Sequence, residues 1–72
     1  MKKIKISTPF IKLDQLIKFA GISFDGAEAK EIIKEEIVFV NGELETRRGR
    51  KLYKGDTVKI TFSDEEFELY VD

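Results

Sequence analysis

Apolar residues in this chain recur at two different periods, and the change from one to the other falls near residue 37. Before it, Leu13, Leu16, Ile17 and Ala20 stand at i, i+3, i+4 and i+7, and Ala29, Ile32 and Ile33 supply a second stripe at helical spacing. After it, Val38 and Val40, then Val58, Ile60 and Phe62, then Phe67, Leu69 and Val71 alternate with other residues, as strands with one buried face do. Helical periods gathered first and strand periods gathered last predict an α+β fold: two N-terminal helices packed on a small antiparallel β-sheet. With 72 residues there is room for one core, so a single domain over residues 1–72 is expected.

Punctuating residues fit this division. Ile4 and Ile6 alternate with Lys3 and Lys5 as a short edge strand would, its lysines discouraging edge-to-edge pairing. Thr8-Pro9 reads as an N-cap followed by proline at the first helical position, and Gly21 closes that first helix. Asp25 and Glu28 have the spacing of a capping box for the second. Asn41-Gly42 between Val40 and the returning Leu44 predicts a two-residue hairpin turn of type I′. Tyr53-Lys54-Gly55-Asp56 and Ser63-Asp64-Glu65 read as further turns. Phe10, Phe19, Phe24, Phe39, Phe62 and Phe67 are of a type that can stack on bases, but most are expected in the core, with Phe19 at the edge of the first helical stripe.

Several chemistries are disfavoured. Without cysteine or histidine there is no disulfide, thiolate zinc site, thiol nucleophile or imidazole proton shuttle. Ser7, Ser23 and Ser63 have no histidine to activate them, and Gly42, Gly49 and Gly55 match neither phosphate-loop nor dinucleotide spacing. Asp25 with Glu28, and Glu35 with Glu36, are explained by helix capping and a solvated helix end without a metal. A chain of this size has little apolar area to spare for a deep cavity. No enzyme, cofactor, metal or small-molecule substrate is therefore expected. The basic start Met1-Lys2-Lys3-Ile4-Lys5 is not followed by an apolar signal-peptide segment, and no apolar run is long enough to span a bilayer, so a cytoplasmic protein with no membrane partner is expected.

Lysine plus arginine number 13 against 14 aspartates and glutamates, a net charge of −1 that conceals strong segregation. All three arginines fall in Arg47-Arg48-Gly49-Arg50, followed by Lys51 and Lys54, whereas Asp64, Glu65, Glu66, Glu68 and Asp72 crowd the other end. A charged run is often only a solvated loop. Arginine rather than lysine argues for more, because its planar fork grips phosphate with two hydrogen bonds, and Gly49 would let the backbone turn tightly there. On a helical wheel Lys30 and Lys34 share one flank of the second helix, with Glu28, Glu31 and Glu35 on the other. That flank could extend the arginine surface, or the helix could be an ordinary amphipathic one with mixed charges.

Four segments in order, Lys12-Leu13-Asp14-Gln15-Leu16-Ile17, Glu28-Ala29-Lys30-Glu31-Ile32-Ile33, Val38-Phe39-Val40-Asn41-Gly42-Glu43 and Gly55-Asp56-Thr57-Val58, resemble the S-four RNA-binding domain, or alpha-L motif. The likeness runs from about Lys12 to Ile60 and is nearest to the short stand-alone branch called YaaA-like, whose basic loop is similar to Thr46-Arg47-Arg48-Gly49-Arg50-Lys51-Leu52. The resemblance implies an RNA-binding module whose helices and loop form one basic face. Lys12 stands where the family often has arginine, Lys30 matches a basic position of the second helix, and Arg47, Arg48, Arg50 and Lys51 form the loop. Asp25 and Gly26 replace a common serine-arginine pair, and Glu31 occupies an often basic position, which shifts the expected weight onto the loop.

The candidate RNA-binding residues are thus Lys12, Lys30, Lys34, Arg47, Arg48, Arg50 and Lys51. They would neutralise phosphates of structured RNA and select by shape, since side chains cannot read the deep major groove of an RNA helix. Family likeness favours ribosomal RNA or a ribosomal particle, with transfer RNA second; the oligomeric state is open. The rivals are a protein-interaction module without RNA affinity and a fragment of an RNA-modifying enzyme, the latter disfavoured because no catalytic domain accompanies the motif. A ubiquitin-like sulfur carrier is excluded by the ending Tyr70-Val71-Asp72, which lacks a glycine pair.

Overall fold

A computed structural model describes residues 1–72 and gives the order β1 (Lys2–Ile4), β2 (Ile11–Lys12), α1 (Leu13–Phe19), α2 (Gly26–Lys34), β3 (Val38–Val40), β4 (Glu43–Leu44), β5 (Lys51–Leu52), β6 (Thr57–Thr61), β7 (Glu66–Val71). The five-stranded sheet runs β1-β7-β6-β3-β4, and β2 pairs with β5 in a separate two-stranded ribbon. The α+β architecture expected from the two periods is present. The large sheet is mixed, however: β3, β4, β6 and β7 pair antiparallel, while β1 joins the edge parallel to β7, with Ile4 opposite Val71.

Register follows burial. Val38 faces Ile60 and Val40 faces Val58, while Val58 lies opposite Leu69, so all five of these aliphatic side chains turn to the buried face. There they join Leu13, Leu16 and Ile17 of α1 and Ala29, Ile32 and Ile33 of α2 in one cluster. Ile17 is fully enclosed, and cutting it to alanine would cost roughly 2–5 kcal/mol through lost transfer energy and the cavity left behind. The cluster is wholly aliphatic, which corrects the expectation for phenylalanine. Phe62 and Phe67 only pack edge-to-face along its rim, Phe10 and Phe39 are half-buried, and Phe19 and Phe24 are exposed.

The first helix also starts later than Thr8-Pro9 suggests. Thr8 instead closes a local turn by donating from its hydroxyl to the Phe10 carbonyl (2.8 Å), and Ile11 and Lys12 are extended to pair with Leu52 and Lys51. No side chain caps α1. Its first two N–H groups, those of Leu13 and Asp14, donate to the carbonyls of Arg50 and Arg48 at 2.9 and 3.0 Å, so the distant basic loop does the capping. Tertiary pairing has overridden a local start signal.

Other local signals hold. Gly21 adopts φ +80 and, with Ile22, returns N–H groups to Lys18 and Ile17 in a Schellman ending. The side chain of Asp25 caps α2 by accepting from the Glu28 N–H, while Glu28 reaches back one residue further than a capping box requires, to the N–H of Phe24. Asn41 and Gly42 both have positive φ, as a type I′ turn demands. No helix is long and apolar enough to cross a membrane.

Candidate nucleic-acid interface

The β3–β4 hairpin sets the position of the basic loop. A two-residue turn at Asn41-Gly42 pairs Val40 with Glu43, and the same register carries Glu45 opposite Val38, where its N–H donates to the Val38 carbonyl at 2.8 Å. Since Val38 points into the core, Glu45 does too, and it is buried. Its carboxylate then organises the segment that follows. Oε2 accepts from the backbone N–H groups of Thr46 and Arg47 and from Arg47 Nε, while Oε1 accepts from Arg47 Nη2 and Arg50 Nη1, every distance lying between 2.9 and 3.0 Å.

Five donors on one carboxylate favour its charged form strongly. The side-chain hydrogen bond from Arg47 is the largest influence; with the backbone N–H of Arg47 and the side chain of Arg50 it outweighs the opposing effect of burial and holds the Glu45 carboxyl far below the ordinary carboxylate range. The same contact raises the already high pKa of Arg47.

Arg48 points the other way, to α1. Its Nε and Nη2 both reach Asp14 Oδ2 at 2.9 Å. Asp14 is buried, and its second oxygen, Oδ1, has no hydrogen-bond partner. Together with the two backbone bonds from the start of α1 to the loop carbonyls, this pair fastens the loop to the helix. Arg48 and Gly49 form the tight turn expected there, closed by the Arg50 N–H donating to the Arg47 carbonyl at 3.3 Å, but Gly49 lies outside the left-handed region and a side chain there would meet nothing within 4 Å, so the turn does not require glycine.

The arginines are therefore anchored yet still presented. Arg47 remains 73% exposed, Arg48 46% and Arg50 31%, against two nearly enclosed carboxylates. Beside them Lys12 of β2 stands directly opposite Lys51 of β5. Like charges opposed across a strand pair are destabilising, and neither lysine has a carboxylate partner. Lys51 Nζ rests 4.7 Å above the ring of Phe10, a cation–π contact that holds it in place without neutralising it.

On α2, Gly26 approaches the same loop: a methyl-sized group there would lie 3.6 Å from Arg48 Nη2. Lys30 and Lys34 follow at four-residue steps along the flank that starts at Gly26, both exposed. The seven candidate residues thus fall into three groups: the clasped arginines, the opposed lysines of the ribbon, and the lysine flank of α2, whose first residue, Gly26, approaches Arg48. Two residues essential to this arrangement, Asp14 and Glu45, were not singled out from sequence. Glu45 was within reach, since counting the hairpin register back from Asn41-Gly42 puts it on the inward side. Asp14 stands only at the border of the apolar stripe of α1 and gives no comparable signal.

Comparison with known proteins identifies the family. The family model described as "S4 domain" matches residues 4–69. A Bacillus subtilis (strain 168) protein named "Probable ribosome maturation protein RlbA" is 47% identical over 57 residues, which cover 79% of this chain and 80% of that protein. An Escherichia coli (strain K12) protein named "Putative RNA-binding protein YbcJ" is 44% identical over 52 residues, covering 72% of this chain and 74% of its own length. With the match extending from the first strand into the last and both helices inside it, the chain belongs to the S4 domain family.

Proposed function

We propose that this protein is a small, non-catalytic RNA-binding protein whose basic surface, formed by Arg47, Arg48, Arg50, Lys12, Lys51, Lys30 and Lys34, grips the phosphates of structured RNA. The observation that carries the reading is the unrelieved opposition of Lys12 and Lys51 beside a loop whose partly exposed arginines are fixed by buried carboxylates. The opposition of the two lysines costs stability when the protein is free and is relieved when anionic phosphates arrive. A surface of guanidinium and ammonium groups offers contacts to phosphate and sugar rather than to base edges, so shape and backbone geometry select the target. Ribosomal RNA or a ribosomal particle is the preferred partner, supported by the name of the Bacillus relative, and the cytoplasm the compartment.

The test is fluorescence anisotropy with a structured ribosomal RNA fragment and a DNA duplex of equal length across a salt series. Arginine-to-alanine variants are poor probes, because each would strand a buried carboxylate. The double variant Lys12→Ala/Lys51→Ala removes charge without breaking an ion pair. Preference for RNA is expected, with a log–log salt slope of roughly −3 to −5 for four to six phosphate contacts and a slope less negative by about 1 to 2 in the variant. A slope near zero for the unaltered protein would overturn the reading and favour a protein-interaction module.

A further inference from the structure

Phe24 is 89% exposed, the most exposed large apolar side chain in the molecule. The other exposed apolar residues have neighbours that account for them. Phe19 borders a shallow groove with Ile6 and Ile11, Tyr53 leans on Phe10 at 6.1 Å between ring centres, Leu44 lies across the hairpin from Phe39, and Met1 is the first residue. Phe24 takes part in no aromatic pair and does not join the core or its rim.

Its backbone, in contrast, is firmly placed. The Phe24 N–H donates to Glu28 Oε1 at 2.6 Å, and the next residue, Asp25, caps α2. Two residues on, Gly26 faces the Arg48 guanidinium and lies close to Gln15 as well. An aromatic ring on a fixed backbone, two residues before the glycine that faces an anchored and half-exposed arginine, combines the two elements that single-stranded nucleic acid requires: a π-face for a base and a cation for the adjoining phosphate.

We propose that Phe24 is a stacking platform for an unpaired base of the bound RNA, whose neighbouring phosphate is held by Arg48. The inference rests on the RNA-binding reading and sharpens its substrate class: the ligand is a structured RNA with an unpaired nucleotide beside the stem, such as a bulge or a single-stranded extension. A purely double-stranded RNA offers no free base and gains nothing from the ring.

The test compares a stem carrying a short single-stranded extension with a blunt RNA duplex containing the same number of phosphates. Phe24→Ala is expected to weaken binding of the extended RNA by about 5- to 100-fold while leaving the blunt duplex and the thermal melting of the protein unchanged. Because the chain contains no tryptophan, Phe24→Trp introduces a unique fluorophore, expected to retain affinity and to be quenched by the extended RNA alone. Equal binding of both RNAs by Phe24→Ala and the unaltered protein overturns the inference, as does an equal loss for both. Failure of the unaltered protein to bind either RNA would instead remove the RNA-binding reading itself.

Discussion

Asp14 on α1 and Arg48 in the loop meet at 2.9 Å across 34 positions of sequence, a buried carboxylate against a half-exposed guanidinium. One carboxylate oxygen takes both donors while the other is enclosed and unpaired, so the pair depends on Arg48 for nearly all its compensation. Asp14→Asn is expected to destabilise the fold by about 1–3 kcal/mol, and Arg48→Ala by at least as much, since it leaves the buried charge alone. In urea unfolding, a double-mutant cycle between the two should give a coupling of about 1–2 kcal/mol; additivity within about 0.5 kcal/mol would show that the contact carries no energy of its own.

Glu45 makes the fold acid-sensitive in a defined sense. Its carboxyl titrates below the ordinary value of 4.5 in the folded chain, so its contribution is complete above that pH and is lost progressively as the pH falls below it. Urea midpoints of the unaltered protein should therefore drop between pH 5 and pH 2. Glu45→Gln should be less stable by about 2 kcal/mol at pH 7 and lose less on acidification, so the two curves converge toward low pH. Parallel curves over that range would rule out the carboxylate as the acid-sensitive group.

Most of the architecture was legible because period and turn chemistry are local. The two helical stripes, the Asn41-Gly42 turn and the alternation of Val58 and Ile60 each specify their own element. What escaped is non-local. The start of α1 moved from Pro9 to Leu13 because Ile11 and Lys12 pair with Leu52 and Lys51, some 40 residues away, and that register brings the carbonyls of Arg50 and Arg48 onto the first two N–H groups of α1. The basic loop and the Lys30–Lys34 flank were readable from the placement of charge, whereas Lys12 entered only through the family resemblance. That two anions anchor the arginines was not readable, because a buried carboxylate looks like any other until its strand register or its distant partner is known.

Glu36, which ends α2, occupies the left-handed region at φ 60 and donates its N–H to the Ile33 carbonyl. Glycine reaches that conformation without the clash a β-carbon imposes. Glu36→Gly should raise stability by about 0.5–1 kcal/mol, which a rise of a few degrees in melting temperature would register. A fall would mean that the Glu36 side chain makes a contribution its exposed position does not suggest.

Lys12 separates the demands of folding from those of binding. In the free protein it faces Lys51 across β2 and β5, and exchanging it for glutamate turns a repulsive pair into an attractive one. Cross-strand pairs of this kind are worth roughly 0.2–1 kcal/mol, so Lys12→Glu should melt slightly higher than the unaltered protein. RNA affinity should move the opposite way, since one phosphate contact is lost, a repulsive charge is introduced, and the log–log salt slope becomes less negative by about 1 or more. A residue present only for the fold would give no such opposed response. If Lys12→Glu left both melting temperature and salt slope unchanged, the opposed lysines would be no more than solvated surface, and the binding surface would contract to the arginine loop and the α2 flank.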